Sequence, residues 1–204
     1  MLLVLPFVLL IRGSVYLYEA HAWHTWFALA GGAAMTFVLL LLYFVFLYGA
    51  FYGLKTISRK HMKIKAWVAA LLVVVYCGYT LISFSDANVK SEAVKEEFSS
   101  LHPFLRLGVG TLLFLDSGLL ITDMSRTHDD YRKMGMKTKR RSLHYPQKDG
   151  YVHAMDLRTK GRSRLRNWLL ERYFRGMGFR TLRHGGTADH LHVSLSIREN
   201  PAAI

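Results

Sequence analysis

The sequence predicts two parts of different class. Residues 1–85 form an α-helical transmembrane part, and residues 86–204 an α+β domain with a mainly antiparallel sheet flanked by helices. Three observations carry this. The first part is overwhelmingly apolar, with uncharged runs as long as the roughly 20 residues a bilayer-crossing helix needs. The second mixes charged, polar and apolar residues, and its apolar period switches between helix-like and strand-like stretches. The single cysteine, Cys77, stands inside an apolar run, so neither an internal disulfide nor a cysteine zinc cluster is available.

Residues 2–19 are a possible first span. "LLVLPFVLLI" is short and ends at Arg12, whose burial at mid-membrane costs about 2.5–3.5 kcal/mol on translocon scales. No basic stretch precedes it and no small-residue cleavage site follows, which fits a cleaved signal poorly. Residues 27–54 and 66–85 are two firmer spans, both uncharged, with Trp26, Tyr52, Trp67 and Phe84 near their ends. The loop between them carries Lys55, Arg59, Lys60, Lys63 and Lys65 with no acid. Short basic loops stay in the cytoplasm, which puts residues 86–204 on the periplasmic or extracellular side of a bacterial inner membrane.

The exported part opens with a polar linker entering a helix, "DANVKSEAVKEEFSSL". "HPFLRLGVGTLLFLDSG" is uncharged only from Leu107 to Leu115, too short to span, and reads as a buried helix stopped by Ser117-Gly118. "LLITDMSRT" has strand character, "HDDYRKMGMKTKRRS" is a short helix plus loop, and "YVHAMDLRT" is a second strand. In "RSRLRNWLLERYFRGMG" the recurrence of Leu165, Trp168, Leu169 and Tyr173 at three-to-four spacing marks a helix, stopped by Gly176 and Gly178. "FRTLRHGG" and "HLHVSLSI" close the chain as two strands joined by a Gly-rich turn.

The last strand raises the chemical question. Alternation puts His190 and His192 on one face, with Asp189 beside them. Two imidazoles at a strand mouth are either a solvated polar rim or part of a metal site. A catalytic zinc needs about three protein ligands and an open position. His144 in "SLHYP" and Asp156 in "HAMDLR" are the candidates to join His192, and Asp189 or His190 would then stand ready to take a proton from a zinc-activated water.

The motif "S-x-H" (Ser142 to His144), "A-x-D-L" (Ala154 to Leu157) and the late "H-x-H" (His190 to His192) resembles the LAS metallopeptidases. The nearest likeness is to their D-Ala-D-Ala carboxypeptidase and peptidoglycan endopeptidase branch, which shares its fold with the hedgehog domain. The resemblance covers Lys90 to Ile197. It implies Zn2+ held by His144, Asp156 and His192, with Asp189 as general base and His190 as its alternative or a supporting partner. It also implies that Arg126, in "ITDMSRT", steadies a substrate carbonyl or developing oxyanion. The chain departs from the family between the first histidine and the aspartate. Tyr145 to Met155 is a longer separation than usual, Val152 replaces a glycine, and "PQKDG" reads as an inserted turn. Should the insertion displace His144, His153 is the spare ligand, although positions 153 and 156 point to opposite faces of a strand.

The remaining histidines of this part, His102, His128 and His184, are expected to be structural or at the surface. Ser142 is a local hydrogen-bonding residue, since no G-x-S-x-G surrounds it. The net charge is +13, and basic runs at Lys137 to Arg141 and Arg162 to Arg166 suit wall or lipid phosphates. No aromatic-interleaved strand supports nucleic acid. The expected function is that of a membrane-anchored zinc peptidase hydrolysing amide bonds in peptidoglycan peptides. The alternatives are a zinc-containing, non-catalytic wall- or partner-binding protein and a metal-free, membrane-tethered anion or nucleic-acid binder.

Overall fold

A computed structural model describes residues 5–53, 58–82, 88–133, 135, 142–186 and 189–195. The chain divides into two compact units, Met1–Tyr79 and Thr80–Ile204. Several sequence expectations fall outside the described residues: the start of the first span, Leu54, residues 83–85, the expected boundary at 85/86, the basic run 137–141 and Ile197.

The first unit holds α1 (Leu5–His21), α2 (Thr25–Tyr52) and all but the last turn of α3 (Arg59–Ile82). The last two are long and apolar enough to cross a membrane. α1 covers the described part of the possible first span and carries Arg12 exposed. α1 and α2 approach closely through small residues. A Cβ on Gly32 would lie 2.6 Å from the Leu10 carbonyl, and Thr36 Oγ1 donates to the Gly32 and Pro6 carbonyls at 2.9 and 3.0 Å. Small side chains that let two backbones meet are what association between apolar helices requires.

The second unit runs α4 (Glu92–Glu96), a 3-10 turn (Glu97–Ser100), α5 (Pro103–Leu115), β1 (Ile121–Asp123), α6 (His128–Lys133), β2 (Ala154–Arg158), α7 (Arg164–Met177), β3 (Arg180–His184) and β4 (His190–Ser194). The four strands form one antiparallel sheet in the order β1-β2-β4-β3, the architecture expected of this part. Each predicted strand and helix appears, and the strands are shorter than the apolar patterns that marked them.

Period-two alternation divides the sheet into two faces. Met155 pairs Val193 and Leu157 pairs Leu191 and Ile121, all buried, with Leu170 and Phe174 of α7 and Phe104, Leu105 and Leu107 of α5. α5 and α7 meet at Gly108, where a Cβ would press to 3.0 Å of the Phe179 ring and whose carbonyl accepts from Tyr173 Oη at 2.8 Å. The opposite face carries Asp156 paired with His192, and Arg158 paired with His190. α7 is capped at both ends. Ser163 Oγ accepts from Arg166 N, and Gly178, at φ +104°, returns its N–H to the carbonyls of Phe174 and Arg175.

Three of the four residues that marked α7 as a helix lie off the face it buries, Tyr173 being the exception. Asn167, Leu170, Phe174 and Met177 are inside, whereas Leu165, Trp168 and Leu169 face outward. Spacing identifies a helix in either case. It cannot say which of two apolar faces is buried.

Candidate metal centre

β2 and β4 are adjacent and antiparallel, and their register sets Asp156 opposite His192 on the polar face. His144 reaches them from the loop before β2. Its Nε2 lies 3.3 Å from His192 Nδ1 and 3.5 Å from Asp156 Oδ1, and His192 Nδ1 lies 2.9 Å from the same Oδ1. Two imidazole nitrogens and one carboxylate oxygen thus converge on one spot, and this group has the spacing to hold a metal ion. His144 and Asp156 are buried while His192 is partly exposed, so one side of the cluster remains open.

The surroundings fix which atoms face inward. His144 Nδ1 is 2.6 Å from the Met124 carbonyl, an acceptor only, so Nδ1 carries the proton and Nε2 presents a lone pair. A ligating histidine tied through its other nitrogen to a carbonyl is the usual supporting arrangement of metal sites. Ser142 plays the local role its position suggests. Its Oγ accepts from His144 N at 3.3 Å and meets Tyr131 Oη at 2.6 Å.

Arg126 lies behind the carboxylate. Nη2 donates to Asp156 Oδ2 at 2.6 Å, and Nε to Asp123 Oδ2 at 2.7 Å. An irregularity in the β1–β2 pairing between Ile121 and Asp123 sets Asp123 opposite Asp156, and Arg126 bridges the two acids. Burial alone would raise the Asp156 carboxyl. The neighbouring His144 and His192 rings and the Arg126 charge outweigh it and hold the group well below the usual carboxylate range. For Arg126 the cost of burial is likewise exceeded by the two aspartates, and the guanidinium stays charged.

The two residues expected to handle protons sit differently. His190 Nε2 is 3.7 Å from Asp156 Oδ2, and its ring stacks on His184 at 4.8 Å. Asp189 is held elsewhere. Its carboxylate accepts from Thr159 Oγ1 at 2.8 Å and from Arg183 at 3.0 Å, and those bonds lower its pKa. Asp123 and the Met124 carbonyl were not foreseen; His184 was expected to be structural or at the surface, within reach of the site mouth. Strand alternation could have flagged His184, which faces His190 across the β3–β4 pair.

A second group has the same composition. His102, Asp149 and His153 also lie within metal-holding distance of one another. His153 Nε2 is 2.8 Å from Asp149 Oδ2, and His102 Nε2 is 3.5 Å from it. His102, however, caps α5, its Nδ1 accepting the Phe104 N–H at 3.3 Å. A neutral imidazole that accepts at Nδ1 carries its proton on Nε2, so the atom facing Asp149 is a donor, with no lone pair for a metal. Burial, and then His153, push the His102 pKa well below its ordinary value, which keeps the ring neutral. His153, the spare ligand of the sequence reading, belongs to this group, and the inserted turn that supplies Asp149 leaves His144 with Asp156 and His192.

No family model, curated protein or solved structure matches the chain.

Proposed function

We propose that the chain is a membrane-anchored zinc metallopeptidase acting on amide bonds of peptidoglycan peptides, with its C-terminal unit outside the cytoplasmic membrane. One observation carries this reading: His144 Nε2, Asp156 Oδ1 and His192 Nδ1 converge from three separate segments, with the His144 tautomer set for ligation. Two nitrogens and one carboxylate oxygen suit zinc. Zinc bonds of about 2.0–2.2 Å at tetrahedral angles imply ligand–ligand edges of about 3.3–3.5 Å. Two of the three separations, 3.3 and 3.5 Å, fall on that value. Zinc bound there would acidify a water and polarise a carbonyl, the chemistry amide hydrolysis needs.

The side chains of this chain have separable tasks. Met124 and Ser142 orient His144. Arg126 keeps Asp156 ionised and in place, so it is a positioning residue here. His190, stacked on His184 beside Asp156, is the better placed group to accept a proton and return it to the leaving amine. Asp189, expected as the base, would have to leave Thr159 and Arg183 first. The substrate class rests on the family resemblance, and the two apolar helices α2 and α3 support the membrane anchor.

The test uses the full chain in detergent with a peptide ending in D-Ala-D-Ala and a cross-linked wall peptide. Amide cleavage should vanish on chelation, return with zinc and be absent from His192→Ala. His190→Ala should cost more activity than Asp189→Ala. A zinc-loaded protein that cleaves neither peptide would give way to the second reading, a zinc-holding but non-catalytic binding domain, which the engagement of both Arg126 and Asp189 favours.

A further inference from the structure

The outward face of α7 is apolar where a surface helix is ordinarily polar. Leu165, Trp168 and Leu169 are 64%, 53% and 52% exposed. At about 100° per residue they lie opposite the buried set Asn167, Leu170, Phe174 and Met177. Arginines flank the stripe. The Arg172 guanidinium is 5.6 Å from the Trp168 ring, and Arg175 pairs with Glu171 at 2.6 Å. Tryptophan and leucine pointing outward between arginines is the pattern of a helix lying in a bilayer interface, where guanidinium groups reach the headgroups and their stems lie along apolar surface.

A cavity of about 440 Å³ opens at the start of the same helix, lined among others by Arg158, Lys160, Arg162, Ser163 and Arg166. Four of its lining residues are cations and none is acidic. Arg162 is nine-tenths buried there. It donates to the Gly118 carbonyl at 3.3 Å and pairs with Asp116, while its Nε has no hydrogen-bond partner among the described residues. The positive end of the α7 dipole adds to this field. The loop that builds the wall is tightly made: Gly161 takes φ +81° and Arg162 N donates to the Thr159 carbonyl at 3.2 Å.

We propose that α7 docks the C-terminal unit on an anionic bilayer, its outer leucine–tryptophan face in the interface and a lipid phosphate in the cationic cavity. Charge complementarity favours lipid over a protein partner, since the stripe is bordered by Arg164, Arg172 and Arg175 and adjoins four further cations. The same chain also carries two helices long enough to hold it at a membrane. The inference does not depend on the peptidase reading, because none of these residues belongs to the His144–Asp156–His192 group.

The test places a nitroxide on Leu169→Cys in a Cys77→Ser background. The full chain is reconstituted in vesicles of phosphatidylcholine alone or mixed with phosphatidylglycerol. Collision with oxygen and with a water-soluble nickel chelate reports the label's surroundings. Docking predicts a shift from chelate to oxygen accessibility on adding the anionic lipid, and loss of that shift in Arg158→Glu/Arg166→Glu. A label open to the chelate in both vesicles overturns the proposal. So does a label shielded from both reagents in both vesicles, which would mean a protein contact. A shift that survives the double charge reversal overturns the part assigned to the cavity.

Discussion

Among the described residues stand two His–Asp–His groups of identical composition, and they differ in where the ring protons sit. At His144 the Nδ1 proton is committed to the Met124 carbonyl, which turns the Nε2 lone pair toward Asp156 and His192. At His102 the Nδ1 lone pair is committed to the Phe104 amide, which turns an Nε2 proton toward Asp149. The first arrangement can ligate a cation once that cation displaces the proton His192 Nδ1 shares with Asp156. The second is a staple around a half-buried carboxylate. Residue type and proximity are equal in the two groups, so the backbone atom behind each imidazole decides its chemistry. The staple has its own use. Asp149 sits in the inserted turn, and its bonds to His153 and His102 tie that turn down beside the N-terminus of α5. His144, on the near side of the insertion, thereby keeps its place.

The largest expected effect separates the groups by metal content. Full-length protein purified in detergent should bind about one zinc per chain. His192→Ala should lose it, since removing a direct ligand costs more than the roughly 10–100-fold seen for supporting residues. His102→Ala should keep it. Two zinc ions per chain, one of them lost in His102→Ala, would break the comparison at its root.

Stability should respond in the opposite sense. Asp149→Ala removes the acceptor bonded to His153 and facing His102, and a hydrogen bond to a charged group contributes about 1.5–3 kcal/mol. Thermal melting of the chelator-treated chain should therefore show a loss of about 2–3 kcal/mol, without change in zinc stoichiometry once metal is restored. An unchanged melting temperature would mean that Asp149 does not staple the turn.

Much of the first group was legible in the sequence, and almost none of the second. His190 and His192 share a face by alternation, and Asp156 reads as a strand residue. The order S-x-H, A-x-D-L, H-x-H linked segments far apart in the chain. The second group had no such signal, because it joins a helix cap, a turn and the residue before a strand, where no period relates side-chain directions. Arg126 shows the same limit. Its sequence position marked it as a site residue, but its bond to Asp123 depends on a pairing irregularity that no pattern announces. For α7 the period identified the helix and left its buried face open, since both faces carry apolar residues and only packing selects one.

Acid should weaken the staple on a schedule its geometry sets. His102 has a folded pKa below the unfolded value of about 6.5, so the unfolded chain binds the extra proton. Stability is therefore complete above about pH 6.5 and falls as pH drops toward the folded value. Asp149, whose folded pKa is also depressed despite the opposing effect of burial, adds a further loss at lower pH, as the solution passes down through that value. The melting temperature of the chelated chain should fall more steeply on acidification than that of His102→Asn. Parallel pH profiles would show that His102 is not kept neutral by folding.

The smallest effect concerns the layer behind the metal group. Asp123→Asn removes one anion from Arg126 while leaving His144, Asp156 and His192 intact. Arg126 would still donate to Asp156 through Nη2, but its Nε would face a neutral amide in place of a carboxylate. The guanidinium should then be held less firmly, and Asp156 with it, lowering zinc affinity by about tenfold, the lower end of the range for supporting residues. Competition with a chromophoric chelator measures this directly. The matching change on the other group, Asp149→Asn, should leave that affinity alone. Should the two substitutions weaken zinc equally, the groups would be coupled through the inserted turn, with the staple acting on the metal by holding His144.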